Sequence, residues 1–348
     1  MTDSTRLPSV TRRRFMLTLG VAGVSAAVGS ALWRFGRGGK DPRPLAGLQA
    51  AKRTGSALGT DVSIVALHES QVAAEKAIDA AFAELDTVES VMSLYRPESQ
   101  LCVLNGTREL LRPHPYLVQV LRKAQAMSAA SAGAFDVTVQ PLWTLYANSA
   151  DAGCQPDPDD VERIRKYVDW RRVVVSDDRI QLKGDGTSIT LNGIAQGFAA
   201  DRVLAALAAN DVRHALVNTG EIGSMGRRGD GECWTIGIQH PRHKDAMIRR
   251  VHSEGRCIAT SGDYETTFTP DYANNHIFDP HTGRSPQVFQ SVTVAAMTGL
   301  EADALSTAVF VAGLDRGVQL IESTPGADGF FVLKHGQIRA TAGFPGEV

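Results

Sequence analysis

"SITLNGIAQGFAADRVLAALAAN", Ser188 to Asn210, reads as a strand that enters a helix through a turn bracketed by Gly193 and Gly197. In a doubly wound nucleotide-binding fold that turn would carry GxGxxG and open a series of βαβ units. Neither condition holds here. The glycine spacing is wrong, and the strands and helices on either side do not alternate as repeated βαβ units. The chain therefore reads as α+β, a single domain of mainly antiparallel sheets flanked by helices.

Upstream, "GTDVSIVAL" alternates as a strand, and "VAAEKAIDAAFAELDTVESVM" puts Ala74, Ile78, Ala81, Phe82, Leu85 and Val88 on one helical face. "PYLVQVLRKAQAMSAAS" is a second amphipathic helix, ending at Gly133. "GAFDVTVQPLW" is expected to enter a strand, "QPDPDDVERIRKYV" to hold a short helix, and "RRVVVSDDRIQL" to be a hairpin turning at Asp177-Asp178. Downstream, "HALVNTG" and "WTIGIQ" are strands flanking a glycine-rich loop, residues 220–231, and "SVTVAAM" is another strand. Helices over "GLEADALSTAVFVAG" and "DRGVQLIEST" and a hairpin over "DGFFVLKHGQIRAT" complete the pattern.

The front of the chain differs in kind. Arg12, Arg13 and Arg14 precede an uncharged, Ala/Gly/Val-rich stretch from Phe15 to Trp33, which reads as an export signal of twin-arginine type over residues 1–33. A short membrane anchor is the competing reading. Residues 34–53, basic and rich in Gly and Pro, read as a flexible tether, leaving residues 54–348 as the folded domain. Up to residue 53 ten Lys or Arg face two acids, so the front carries +8; with −2 for the whole chain, the remainder carries −10. So acidic a domain excludes nucleic acid as partner. Cys102, Cys154, Cys233 and Cys257 lack CxxC spacing and are expected to be buried free thiols, neither a zinc site nor a disulfide framework.

Five segments can carry chemistry. Asp303 and Thr307 are four apart on one helix and offer a carboxylate and a hydroxyl to a hard cation, although a helix cap and a backbone-bonded Thr explain them as well. The residues around them are nearly all apolar, and a buried Asp without a partner is costly. The turn at Gly193 can present free N–H groups to an anion or a carbonyl to a metal, but packing alone explains it too. Phe135 and Asp136 follow a helix end, and Tyr95 and Ser99 sit in a loop within "MSLYRPESQLCVLN"; the aromatics could hold a ring system. In "NHIFDPHTG", Asp279 to Gly283 is turn chemistry, which removes His281 and Thr282 as ligands and leaves His276 unexplained.

Taken in order, "ALGT", "MSLYRPESQLCVLN", "GAFDVTVQPLW", "NGIAQGFAADRV", "LVNTGEIGSMG", "ATSGDYE", "NHIFDPHTGRSP" and "SVTVAAMTGLEADALSTAVFV" resemble the ApbE-type flavin transferases, from about Ser56 to the C-terminus. Members of that family are FAD:protein FMN transferases, which join FMN through a phosphoester to a Thr or Ser of another protein. The resemblance implies FAD as substrate and Mg²⁺, or Ca²⁺ or Mn²⁺ in its place, held by Asp303, Thr307 and the backbone carbonyl of Gly193. It implies flavin contacts at Leu58, Tyr95, Ala134, Phe135, Asp136, Thr190, Gln196 and Ile277, and His276 as the catalytic histidine. The family commonly has an acid at Thr190, a Gly at Asn192 and a Lys at Gln196, and its "GGD"-like step is Gly220-Glu221-Ile222 here. Two alternatives stay open: an FAD pyrophosphatase, in which water replaces the protein hydroxyl, and a non-catalytic FAD-binding accessory protein, which the Thr190 and Gln196 departures favour. The implied partners are the twin-arginine translocase during export and a periplasmic or membrane redox acceptor; the nitrous-oxide-reduction accessory type would make this the membrane regulator of that system.

Overall fold

The computed structural model describes residues 45, 47–253 and 255–347. The export signal, and the tether up to residue 44, lie outside the described residues. Along the chain come strands β1 (Gln49–Ala57) and β2 (Thr60–His68), helices α1 (Gln71–Met92) and α2 (Gln100–Thr107), β3 (Glu109–Leu111), α3 (Pro115–Ala130), α4 (Gln140–Asp151) and α5 (Pro158–Arg165). They are followed by β4 (Val173–Val175), β5 (Arg179–Leu182), α6 (Ala195–Ala209), β6 (His214–Asn218), β7 (Ile222–Met225), β8 (Thr235–His240), β9 (His243–His252), β10 (Cys257–Gly262) and β11 (Phe289–Ala296). Helices α7 (Gly299–Ala312) and α8 (Leu314–Glu322) and strands β12 (Asp328–Leu333) and β13 (Ile338–Ala340) close the chain.

Eight strands form one sheet in the order β1-β2-β6-β7-β10-β11-β12-β13, and every pairing in it is antiparallel. The α+β reading therefore stands. In β11 all eight residues are buried, which requires both faces of the sheet to be covered. Val292, Val294 and Ala296 belong to the main core with Ile78 and Leu85 of α1, Phe198 and Val203 of α6, and Leu305 and Val309 of α7. Ala295 joins Phe330 and Val332 in a second core, closed by Ile236, Ile238 and Val251 of the β8–β9 hairpin. Helices thus cover one face and a hairpin the other.

Six expectations change. The stretch 220–231, read as a loop, contains strand β7, which pairs with β6 and β10, and of the four thiols expected to be buried only Cys257 is. The strand β1 takes in Gln49 to Arg53, read as tether, because these residues pair with Ile64 to His68 of β2. After "GAFD" the chain makes a single 3-10 turn, Val137–Val139, and then α4, not a strand; Pro141 sits in the first turn of α4, where its missing N–H costs nothing. "SITL" stays extended without being a strand, since Ile189 exchanges its backbone bonds with the Asn105 side chain at 2.8 Å each. Ser99 is not a loop residue available to a ligand. It is fully buried at the start of α2, where its Oγ accepts from Cys102 N–H at 3.0 Å and donates to the Ser93 carbonyl at 2.6 Å.

All four cysteines are free; Cys257 is buried, Cys102 and Cys233 partly so, and Cys154 is exposed. Among the described residues no helix is long and apolar enough to cross a membrane.

Candidate functional site

The site is built where α6 and α7 touch. A Cβ on Gly197 would lie 2.0 Å from the Gly299 carbonyl oxygen, and one on Gly299 would lie 2.4 Å from the Gly197 oxygen, so only glycines allow this approach. Asp201 locks the crossing: its two carboxylate oxygens accept from Gly299 N–H at 2.6 Å and Leu300 N–H at 2.9 Å, at the start of α7. One turn further, Asp303 Oδ2 accepts from Gly197 N–H at 2.9 Å. The two helix starts thus receive a carboxylate each.

Asp303 is 3% exposed, and burial, reinforced by the charge of Asp201, pushes its carboxyl up to about 7. The N–H groups of Gly197 and Gln196 oppose that shift. Glu221, also buried, accepts from Thr260 N–H at 3.0 Å and is raised well above the usual carboxylate range by burial and then by Asp303. No Lys or Arg forms an ion pair with either acid among the described residues, so buried negative charge here lacks a cation.

Thr307 lies one turn beyond Asp303, with its Oγ1 3.1 Å from Ser261 Oγ. A Cβ on Gly193 would be 3.0 Å from that same Oγ1, so the glycine turn runs directly against Thr307. The fold therefore brings together Gly193, in the turn before α6, and Asp303 and Thr307 of α7, more than a hundred residues apart in sequence. Among the described residues no three His, Cys, Asp or Glu gather into a metal-binding group. The donors assembled here are instead a carboxylate, a hydroxyl and a backbone position, a set of oxygens suited to a hard cation.

His276 sits in the loop between β10 and β11. Its backbone N–H donates to the Thr266 carbonyl at 3.0 Å, and its Nδ1 lies 3.2 Å from the same oxygen. A carbonyl only accepts, so Nδ1 carries the proton and Nε2 keeps its lone pair. Burial lowers the pKa of His276, with the Thr266 carbonyl and Asp263 acting against the shift. The neutral ring is thus the resting form.

Two devices hold that loop. Asn275, fully buried, exchanges backbone bonds with Ser285 Oγ at 2.9 and 2.8 Å, and its Oδ1 accepts from Ile277 N–H at 3.0 Å. Asp263, also fully buried, accepts two bonds from Arg242 at 2.7 and 2.8 Å and one from Lys334 at 2.6 Å. Arg242 stacks over Tyr272 at 4.1 Å, and Lys334 donates to the Tyr272 carbonyl at 3.0 Å. The sequence reading missed Arg242 and Lys334, because nothing local marks a cation whose partner lies 21 or 71 residues away.

The turn "FDPHTG" satisfies its own polar groups. Asp279 accepts from the His281 backbone at 2.9 Å, the His281 ring at 3.1 Å and Thr282 Oγ1 at 3.1 Å, so these three side chains satisfy one another.

The flavin candidates fall into groups. Leu58 (φ 52°) and Gly59 (φ 78°) form the left-handed turn between β1 and β2, where a Gly59 Cβ would be 3.9 Å from the Tyr95 ring; Tyr95 is 41% exposed. Ala134 and Phe135 are buried, and Phe135 N–H donates to Ser131 Oγ at 3.0 Å. The Asp136 carboxylate accepts from Thr138 N–H and Oγ1 at 2.7 and 2.6 Å and from Trp170 N–H at 2.9 Å, while burial pushes it up to about 6. In this segment the carboxylate is committed to the protein. Thr190 N–H donates to the Val137 carbonyl at 2.8 Å, which joins the segment to the glycine turn. Gln196 accepts at its carbonyl from Thr219 Oγ1 at 3.0 Å and packs its amide against Gly220, whose φ of 97° requires glycine. Ile277 is buried in the main core.

A model of the ApbE family matches residues 58–331. A protein of Treponema pallidum named FAD:protein FMN transferase is 31% identical over 289 residues, 77% of this chain and 80% of its own length. The crystal structure of the ApbE protein of Thermotoga maritima superposes with a TM-score of 0.77 at 29% identity, covering 85% of this chain and 98% of that one. The apo form of Pseudomonas stutzeri flavinyl transferase ApbE gives 0.73 at 29% identity, covering 84% and 94%.

Proposed function

Because this chain belongs to the ApbE family, we propose that it is an FAD:protein FMN transferase, acting on a Thr or Ser hydroxyl of another protein. Its curated relatives carry that name. The observation that carries the reading within this chain is His276, whose Nδ1 is held by the Thr266 carbonyl so that Nε2 is left as a base.

In the reaction, Nε2 of His276 takes the proton of the acceptor hydroxyl as that oxygen bonds to the FMN phosphorus. The bond from phosphorus to the AMP oxygen breaks, and AMP leaves. The Asp263 clamp and the Asn275–Ser285 latch hold His276 in place, and so reduce the entropy lost on reaching the reactive geometry. Asp303, Thr307 and the Gly193 carbonyl fit a divalent cation, which we take to be Mg²⁺, because two buried carboxylates there have no basic partner among the described residues. Bound there, the ion supplies positive charge to the pyrophosphate oxygens. Leu58, Tyr95, the run Ala134 to Asp136, Thr190, Gln196 and Ile277 are the positions we assign to the flavin nucleotide.

The twin-arginine-type stretch at residues 1–33 supports export, so we assign the enzyme and its acceptor to the periplasm, with a membrane tether where the signal is retained. A respiratory flavoprotein such as the membrane regulator of nitrous oxide reduction is the acceptor class consistent with that address.

The test is incubation with FAD, Mg²⁺ and a candidate acceptor, read by mass spectrometry for added FMN. Transfer is expected from the wild type, while His276→Ala should lose at least about a hundredfold in rate and still quench FAD fluorescence. Release of FMN and AMP with no acceptor modified would make water the nucleophile and the protein a pyrophosphatase. Retention of intact FAD by the wild type would make it a binding protein.

A further inference from the structure

Residues 163–172, "RIRKYVDWRR", put five cations and one acid on ten consecutive positions of a domain that is acidic as a whole. They form the end of α5 and a 3-10 turn, Trp170–Arg172. Arg165, Lys166, Arg171 and Arg172 line a cleft of about 320 Å³, whose opposite wall is Gly133 with Pro280 and His281. Two acids, Asp136 and Asp169, line it as well; Asp136 is the one residue it shares with the positions assigned to the flavin, and its carboxylate is taken up by Thr138 and Trp170.

Trp170 marks it as a binding surface. Its backbone N–H is taken by Asp136, but its buried indole Nε1–H meets no acceptor among the described residues. A Cβ on Gly133 would lie 4.0 Å from that nitrogen and 3.3 Å from the His281 ring, so the donor sits at the narrow part of the cleft. A buried N–H without a partner costs on the order of 1–3 kcal/mol, which an incoming oxygen recovers once the exposed His281 ring beside it swings aside. Arg171 stacks on the Trp170 ring at 4.6 Å, and its ion pair with Asp169 is a surface one. Lys166 is exposed and makes no ion pair among the described residues. The cleft therefore offers one orphan donor and a surplus of positive charge.

We propose that this cleft docks an acidic segment of the acceptor protein, next to the hydroxyl that receives FMN, a step that rests on the transferase reading above. The placement follows from the chain. Pro280 and His281 lie four and five residues after His276 on one loop, and five extended residues span at most about 17 Å. A peptide with its hydroxyl at His276 can thus lay neighbouring carboxylates on Lys166, Arg171 and Trp170 Nε1. Such a contact also solves the problem that the acidic remainder of the enzyme repels an acidic partner.

The experiment uses two fluorescein-labelled peptides with a central Thr, one flanked by Asp and one with every Asp replaced by Asn. Binding is followed by fluorescence anisotropy at low salt and at about 0.5 M salt, and FAD binding is followed separately by flavin quenching. The wild type should bind the Asp peptide at least about tenfold more tightly, and high salt should erase the difference. Lys166→Glu with Arg171→Glu should abolish the preference, Trp170→Phe should weaken it, and all should quench FAD as the wild type does. Equal binding of the two peptides, or an unchanged preference in the variants, overturns the proposal. Weakened FAD quenching in the variants, or displacement of the peptide by AMP, also overturns it, since the cleft would then belong to a nucleotide. Absence of FAD binding by the wild type would sink the transferase reading instead, and the anisotropy is read without turnover.

Discussion

At His276 one backbone carbonyl decides the chemistry. The Thr266 oxygen fixes the proton on Nδ1, and burial keeps the ring neutral, so the free Nε2 is ready to accept. Because burial puts the pKa below its ordinary value of about 6.5, the neutral form gains over the charged one as pH rises through that lowered value. The rate of FMN transfer should accordingly rise along an acidic limb centred below pH 6.5 and be flat by neutrality; a limb centred above 6.5 would contradict the assignment. Asp303 has the opposite problem. Its carboxyl is pushed up to about 7 with no basic partner among the described residues, which is the condition a cation relieves. Asp303→Ala should therefore flatten the Mg²⁺ dependence of FAD binding, and a titration identical to that of the wild type would remove Asp303 from the metal.

Between elements, two contacts decide whether the site exists. The α6–α7 crossing is set by Gly197 against Gly299, where backbone meets backbone with no room for a methyl group. Gly197→Ala has no flexible side chain to push aside and should cost about 3 kcal/mol, seen as a lower urea midpoint; an unchanged midpoint would mean the helices are not in contact there. The second contact is the clamp on Asp263. Removing the carboxylate leaves Arg242 and Lys334 facing each other, and because both are partly solvated the cost should lie at the lower end for a buried pair, about 3 kcal/mol for Asp263→Ala. Lys334→Met should cost less, since Arg242 keeps its two bonds. Equal losses for the two variants would refute this ordering. The hydroxyl of Ser99 shows how such contacts redirect a residue. In the sequence it sits beside Tyr95 in "SLYRPES", but the start of α2 takes it out of any ligand's reach.

For the whole molecule, residues 42–348 form one compact unit with its own cores, and the residues proposed for chemistry all lie within it. A chain beginning at Pro42 should keep the FAD affinity and the unfolding midpoint of the full chain, and a lower midpoint on truncation would show that the front contributes to stability. The sequence by itself determined the antiparallel α+β class, most of the strands and helices, the turn at Asp279–Gly283 and the candidates Gly193, His276, Asp303 and Thr307. It could do so because periodicity, turn chemistry and the order of short motifs are local properties. It misjudged "VTVQPLW", where β-branched residues suggested a strand but capping by Asp136 and Pro141 start a helix. Only the tertiary structure decided that Gly193 lies against Thr307, that Arg242 and Lys334 share Asp263, that Nδ1 of His276 is occupied, and that four cations line a cleft with Gly133. Each of these joins side chains whose positions are fixed by packing between distant segments, and no periodicity in either segment records the other.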